Sequence, residues 1–571
     1  MGVCGSAPRP LCKPVGLIML RDALRLDPDH IIDAEVCIIG AGPAGISIAI
    51  ELMNSGLSVA LIESGGAEPR ALTSSLGVPA ADSDFPDSRK VWTTRQYGGN
   101  ANAWKMYTGF PRRGVRLIPL SAADFEQRPG VSDTGWPISR ADLNPYYVRA
   151  QLAFKLLPIG YNPESWARKE ALPFPIVDSD IRNEVFQFGD ASTFLGAYRT
   201  EIVTSKSVTL YLNATALEII SDPINNVARS VRLASSAGRE LSCEAHTFVI
   251  ATGGLAAPQL LLSSTRNHQN GIGNKHGMVG RYFMDHPLLL GGDLIPKPAV
   301  SQFGFYDVRT VLDTPVMGLL RIADQALRRD SLANVSALLF PRTNMCARRE
   351  RGYKAAQRIR AQLKGTLPRV NRSNWLDLVY GLDGVAQQYY DRLIAPKSNL
   401  KVGGWSRLPR QNTRFSYFEV LHQAEQFPHY ENRVELSDEF DALGSRRIRI
   451  NWRWHEDDRQ ALIRSQQVFR REMLKHGLGE FRPVSPLQIK TASTAHYMGT
   501  TRMHQSALRG VVDSRCRVHG MGNLYLASAS VFPSGGFANP TLTTVALAIR
   551  VADDIKRKHQ TRIKARAMAF A

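Results

Sequence analysis

Three glycines, Gly40, Gly42 and Gly45, follow the apolar run Val36 to Ile39 at the spacing GxGxxG. Glycines so placed permit a tight turn and close backbone approach. A pyrophosphate can then rest on the N-terminus of the next helix, where amide hydrogens and the helix dipole favour anions. That helix is supplied by Ile46, Ile48, Ala49, Leu52 and Met53, which recur with helical period. A second apolar run ends at Glu63, at the offset where a carboxylate accepts the ribose hydroxyls of an adenosine and argues against a 2′-phosphate. Strand, turn, helix, strand and acid agree on dinucleotide binding, but the motif does not separate NAD from FAD.

Near the other end, "TAHYMGTTRM" sets His496 just ahead of a Met-Gly-Thr-Thr turn. An imidazole titrates near neutrality and can move a proton, yet a lone histidine is more often structural, so its context has to decide. Further pieces repeat the logic of a strand running into glycine. "YGGNANAWKMYTGFPRRG" offers Gly98 and Gly99 ahead of Trp104. "VTLYLNATALEII" has strand character around Asn213 and Ala214, and "HTFVIATGGLAAPQLLLSS" runs into Thr252, Gly253 and Gly254. Last, "GMGNLYLASASVFPSGGFANPTLTTVALAIRVADDI" gives a strand, a loop and a helix opening at Asn539-Pro540-Thr541, where proline suits a first helical position.

In this order, from about Asp33 to Ile555, the pieces resemble the glucose-methanol-choline (GMC) oxidoreductases, a family of FAD enzymes. The likeness is nearer to the sugar- and polyol-oxidising branch, of pyranose oxidase and gluconate dehydrogenase type, than to glucose oxidase, because Asn539-Pro540 stands where the latter carries a histidine. The resemblance implies an α/β protein: a Rossmann-type FAD-binding domain like that of p-hydroxybenzoate hydroxylase, and a substrate domain of mixed sheet plus helices. It implies that Gly40, Ala41, Gly42 and Gly45 hold the FAD pyrophosphate and Glu63 the adenosine ribose. Gly98, Gly99 and Asn100 would lie against the flavin and its ribityl chain, and Ala214 would contact the adenine through backbone. Thr252 and Gly253 would close the pocket, with Ser530 also at the cofactor. Asn539, Pro540 and Thr541 would approach the pyrimidine end of the flavin, where a helix N-terminus stabilises negative charge.

By the same resemblance His496 is the base that takes the hydroxyl proton while a hydride leaves carbon for flavin N5. Asn539, which cannot titrate, donates a hydrogen bond to the same oxygen. Relatives that bind FAD covalently do so through a histidine before the tryptophan; Ala103 stands there, so noncovalent FAD is expected. Ser528 replaces a frequent acid, which puts one cofactor hydrogen bond in question. His286 and His519 are expected to be structural, and Asp513 and Arg515 to tie a loop. No nucleophile elbow supports hydrolase chemistry. The expected function is FAD-dependent oxidation of an alcohol, on a sugar, polyol or glycoside, with oxygen or a quinone as electron acceptor. A non-redox lyase of the same family, or a basic cofactor-binding protein without turnover, is the alternative.

The elements that must position these residues need more than one core, since 571 residues exceed what one core usually organises. The expected FAD domain is discontinuous, over about 31–110, 200–290 and 490–560. The substrate domain takes 111–199 and 291–489, including a basic helical insertion at 342–395, and residues 1–30 form an N-terminal extension, with Met19 a candidate start. The stretch "AEQFPHYENRVELSDEFDALGSRRIRINWRW" resembles the strands of the family's substrate domain. The net charge of +20 favours acidic partners without naming one, and part of it is local: residues 342 to 372 hold ten Lys or Arg and one acid. This segment reads either as a helical hairpin that covers the substrate domain with a solvated basic face, or as a lid or docking surface for an anionic membrane, an acidic partner or an anionic saccharide. Nucleic acid is not expected, because no reading motif accompanies the charge. Six scattered cysteines without CxxC pairs or zinc-site spacing indicate a reduced, cytoplasmic chain with no metal. No run reaches the ~18 apolar residues of a spanning helix.

Overall fold

Val36 to Ile39, the second half of the strand His30–Ile39, and the strand Val59–Ile62 are apolar on both faces, as central strands of a parallel sheet must be, and they lie side by side with Ile39 opposite Ile62. In the computed structural model, which describes residues 19–83, 93–104, 106–107, 113–342, 347–363, 372–383, 385–386, 403–408, 411–484 and 494–570, they form the middle of the first of two large sheets. Glu240–Ile250 pairs parallel to His30–Ile39, and Leu524–Leu526 pairs parallel to Glu240–Ile250. Val208–Leu212 continues the parallel set beyond Val59–Ile62, and an antiparallel pair, Val227–Ser235 and Ala214–Asp222, closes the other edge. Registers Ile39↔Ile62, Ile250↔Ile39 and Ile250↔Leu526 bring the carboxyl ends of four strands level. Gly40, Glu63, Ala251 and Ala527, each the next residue of its chain, therefore meet at one edge, the usual ligand position of such sheets.

Pro43–Leu52 and the long helix Thr541–Phe570 pack against each other beside this sheet. Pro540 is the residue just before that helix: its carbonyl accepts the first helical bond, from Thr544 N at 2.8 Å. Leu20–Asp22, within the stretch read as an N-terminal extension, pairs parallel to Val208–Leu212 and belongs to the first sheet; residues 1–18 lie outside the described residues.

The second sheet is antiparallel, in the order Gly479–Pro483, Leu288–Pro296, Tyr417–Ala424, Val335–Arg342, Thr314–Ile322, Ile181–Asp190, Arg113–Leu117, Met106–Tyr107. The helix Glu456–Lys475 covers it. The hairpin Arg433–Phe440/Arg446–Asn451 does not join this sheet: it packs on the helix Gly253–Ser263, with Val434, Ile448 and Ile450 against Leu255 and Tyr497. Its apolar face finds a partner on the first-sheet side, which the alternating pattern alone could not specify.

The basic segment contains the helices Ala347–Leu363 and Arg372–Tyr380, packed on each other, with no room for a side chain between Gly352 and Gly381. Ala355 and Ile359 are buried, whereas Leu363 is 81% exposed. Trp375, Val379 and Leu382, which recur in the sequence at helical spacing, are also exposed, and Tyr389 and Leu393, further along the same segment, lie outside the described residues. No helix among the described residues is long and apolar enough to cross a membrane.

Candidate active site

A cavity of about 630 Å³ lies beyond the strand ends of the first sheet and reaches the second, a volume suited to a whole cofactor. Its walls include Gly40, Gly42, Glu63, Gly99, Asn100, Ala214, Thr252, Gly253, His496, Asn539, Pro540 and Thr541, so residues scattered over the chain meet in one space. Gly42 has nothing within 4 Å of where a Cβ would stand, and Gly99, at φ +51, approaches it so closely that its own Cβ would lie 3.0 Å from the Gly42 Cα. Two backbone turns thus meet over open space that any larger residue would narrow. This cradle at a helix N-terminus fits the pyrophosphate of FAD.

Four expected cofactor residues do not line the cavity: Ala41, Gly45, Gly98 and Ser530. Each has another task. A Cβ on Gly45 would sit 2.0 Å from the Gly40 carbonyl oxygen, so this glycine keeps helix and turn in contact. Gly98, at φ +90, turns the chain and donates its N–H to the Ala41 carbonyl at 2.8 Å. Ala41 donates its N–H to Glu63 Oε2, and Gly65 donates to Oε1, both at 2.9 Å. Burial pushes the Glu63 carboxyl up while those backbone donors oppose the shift. The Ser530 hydroxyl is held by Thr501 and Ser528, each at 2.6 Å, and Ser528 itself lines the cavity. Ala103 also lines it, where a covalent attachment would need a nucleophile.

The reactive corner is built from both sheets and two loops. Asn539 Nδ2 lies 3.1 Å from His496 Nε2. The Asn539 Oδ1 accepts from Gln423 Nε2 at 3.0 Å, and Gln423 Oε1 accepts from Arg116 Nη2 at 2.6 Å. A guanidinium only donates, so Arg116 fixes which end of Gln423 faces it. That orients Asn539, whose Nδ2 must donate to His496, and Nε2 of His496 must therefore present a lone pair. Its proton sits on Nδ1, which faces His286 Nδ1 and Thr494 Oγ1, each at 3.0 Å. Thr494 donates to the His286 carbonyl at 2.8 Å and is free to accept from that Nδ1–H. Asp285 Oδ1 clamps both segments, accepting from the backbone N–H of His286 at 2.8 Å and of His496 at 2.9 Å.

His496 is half-buried, with its open side on the cavity and protein around the rest of the ring. Loss of water holds its pKa well below the usual histidine value, helped by His286 and by the charge of Arg116. Burial likewise pushes His286 down to about 4, although its far side meets the Gly535 and Gly536 backbone. Both rings are neutral at neutral pH, the state a proton acceptor requires.

His286, expected to be structural, is a direct neighbour of the candidate base. Asp285, Thr494, Gln423 and Arg116 carry no motif; the one trace in sequence is a charge or amide interrupting an apolar strand, as in "GVRLIPL" and "VLHQAEQF". His519 donates to or accepts nothing at this corner; its Nε2 meets the His504 carbonyl at 2.9 Å. Asp513 accepts from the N–H of Arg515 at 2.8 Å and of Arg517 at 3.0 Å, closing a loop.

Residues 428–548 match the family model described as GMC oxidoreductase, and residues 35–272 match that described as FAD dependent oxidoreductase. The two cover most of the first sheet, the glycine turn and the His496 and Asn539 segments. The chain carries the domains of a GMC oxidoreductase. It is 22% identical to a 2-methyl-1,2-propanediol dehydrogenase from Mycolicibacterium austroafricanum, across 92% of this chain and 95% of that one. It is also 22% identical to a paromamine 6'-oxidase from Streptomyces fradiae, across 94% of each. Among solved structures, a formate oxidase from Aspergillus oryzae superposes with a TM-score of 0.51 at 17% identity, covering 94% of this chain and 100% of that one, which is a likeness of fold. This GMC protein is an FAD-dependent oxidoreductase acting on CH–OH groups.

Proposed function

We propose that this GMC enzyme oxidises a primary or secondary hydroxyl of a sugar, polyol or glycoside, with His496 as base and Asn539 as the hydrogen-bond donor that positions the reacting oxygen. The carrying observation is the 3.1 Å pair of His496 Nε2 and Asn539 Nδ2 on the wall of the cofactor cavity. One atom accepts and the other donates, so a hydroxyl entering between them gives its proton to Nε2 and receives a hydrogen bond from Nδ2. Donation from Asn539 also stabilises the negative charge that grows on oxygen as the proton leaves. FAD, when bound, supplies the acceptor for the hydride leaving carbon. Gly42 and Gly99 would admit its pyrophosphate, Glu63 its ribose, and Ala103 leaves the attachment noncovalent.

The first sheet and its helices form the cofactor half in this reading, and the second sheet forms the substrate half. Names of relatives built on a diol and on paromamine support a polyhydroxyl substrate. Oxygen or a quinone takes the electrons onward. The free, buried thiols Cys37, Cys243 and Cys516 suit the reducing cytoplasm. Exposed Trp375 and Val379 beside the basic helix suit peripheral contact with an anionic membrane. The test is anaerobic addition of sugars, polyols and glycosides to the yellow protein: bleaching by one of them supports the reading, and bleaching by none of them, while simple alkanols do bleach it, rejects the substrate class. Air or a quinone added afterwards identifies the acceptor by the return of colour.

A further inference from the structure

Arg116 and Gln423 sit on strands of the second sheet separated by three others, Val335–Arg342, Thr314–Ile322 and Ile181–Asp190. A flat sheet would hold the two backbones roughly 19 Å apart at about 4.8 Å per strand, farther than both side chains reach. Their 2.6 Å bond therefore records a sheet curled so that opposite sides meet over the cavity. Arg116 is 6% exposed, and no carboxylate among the described residues pairs with it. Its Nε and Nη1 have no hydrogen-bond partner among the described residues, and its guanidinium lies over the Phe186 ring at 5.2 Å. Burial lowers its pKa to about 10, which leaves it charged at neutral pH. A buried cation without a counter-charge is costly, so its retention here calls for a task.

We propose that Arg116 and Gln423 are positioning residues that set the proton pattern of the active site, fixing the Asn539 amide so that His496 Nε2 is always an acceptor. The inference rests on His496 acting as the base. Gln423 is suited to the relay because it both accepts and donates: Oε1 takes the Arg116 hydrogen, and Nε2 reaches Asn539 Oδ1 and, at 2.5 Å, the Phe537 carbonyl. Those two acceptors hold the amide in one orientation. Asn539 then has no choice, and neither does the imidazole. The uncompensated charge of Arg116 adds a second effect, since it disfavours a proton on His496.

Two variants of Gln423 separate this relay from simple packing. Gln423→Glu keeps shape and the bond to Arg116 but offers no donor to Asn539, so the amide turns over and its Oδ1 faces Nε2, which then has to carry the proton. Gln423→Met neither donates nor accepts, leaving Asn539 free to adopt either orientation. In the holoenzyme, anaerobic flavin reduction by an alcohol substrate is expected to slow ~100-fold in Q423E and ~10-fold in Q423M, with flavin retained. The acid limb of the Q423E pH profile should also move up, because the new carboxylate cancels the Arg116 charge. Q423E reducing as fast as Q423M, or faster, overturns the relay. If Q423E does not fold, Arg116→Lys and Arg116→Met decide: equal rates in the two reject the relay, and at least ~10-fold faster reduction in the lysine variant, which still donates, supports it. His496→Ala is run beside them, and near-normal reduction there defeats the base assignment whatever Gln423 shows.

Discussion

The Nδ1 atoms of His286 and His496 face each other at 3.0 Å, with the two rings 82° apart. One hydrogen serves the pair, and a second would set two donors nose to nose. Protonating His496 adds its second hydrogen at Nε2, against the Asn539 Nδ2 donor, and the added charge is disfavoured by loss of water, by His286 and by Arg116, in keeping with its depressed pKa. The sign follows directly: a histidine whose pKa is lowered stays neutral, and active as a base, as pH falls through the usual histidine range. Flavin reduction should be flat from pH 8 to 6.5, and its acid limb should lie well below 6.5. A limb centred at 6.5 or above in the pH profile of kcat/KM contradicts the environment described.

His496→Ala should retain yellow flavin and reduce it at least ~100-fold more slowly, the usual scale of general-base catalysis. Asn539→Ala should lower the limiting rate more than the apparent affinity, because its bond to the reacting oxygen strengthens as charge develops. Rapid-mixing absorbance under argon measures both.

Gly42 and Gly45 share one motif but face different surroundings, and alanine should tell them apart. At Gly42 the new methyl meets no protein, so G42A should fold with near-normal Tm and emerge colourless or with weakened FAD affinity. At Gly45 it would lie 2.0 Å from the Gly40 oxygen, forcing helix and turn apart, so G45A should lose soluble protein or melt earlier. A yellow, fully loaded G42A would show that the cradle holds something other than the pyrophosphate.

Leu363, Val379 and Tyr380 are 81%, 61% and 66% exposed on two packed helices, the first of which also exposes Lys354, Arg358 and Arg360. Aliphatic and aromatic side chains beside cations match the boundary of an anionic bilayer. Co-sedimentation with phosphatidylserine vesicles should occur at low salt, weaken at high salt, and fall in a V379E/L382E variant. Equal binding to neutral vesicles would remove the electrostatic part of this picture.

Local chemistry explains what could be seen in the sequence. The glycine turn, Glu63 and the strand before each are contiguous signals, and the parallel sheet follows from them. His496 and Asn539 were legible only through resemblance, since neither lies in a pattern that physics alone would single out. Arg116, Gln423 and His286 were not legible, because their meaning arises from the curl of a sheet and the meeting of segments more than a hundred residues apart. The hairpin Arg433–Asn451 teaches the same point from the packing side: alternation marks a half-buried ribbon but leaves open which neighbour buries it. Ala41, Gly45, Gly98 and Ser530 stand behind the cavity wall, Gly45 because a Cβ there would strike the Gly40 oxygen and the other three by the hydrogen bonds they make.

Stability should also carry the mark of the buried histidines. His286 and His422 are both pushed down to about 4 by burial; His422 hydrogen-bonds the Ser336 carbonyl at 3.0 Å and stacks on Phe469. In the unfolded chain each takes up a proton near pH 6.5, whereas the native state does so only near pH 4. Between those values the unfolded state binds more protons, so stability must rise with pH, and it is lost on acidification by about 1.4 kcal/mol per pH unit for each such group. Buried carboxyls such as Asp124 and Glu425, whose pKa values are raised by burial, act in the opposite direction as they protonate in the native state. They are common to wild type and variant and cancel in the comparison. His422→Gln should therefore flatten the dependence of unfolding free energy on pH between 6.5 and 5 by about one proton relative to wild type. Denaturant titrations at a series of pH values measure that slope, and parallel curves for the two proteins would mean that His422 is already protonated in the fold.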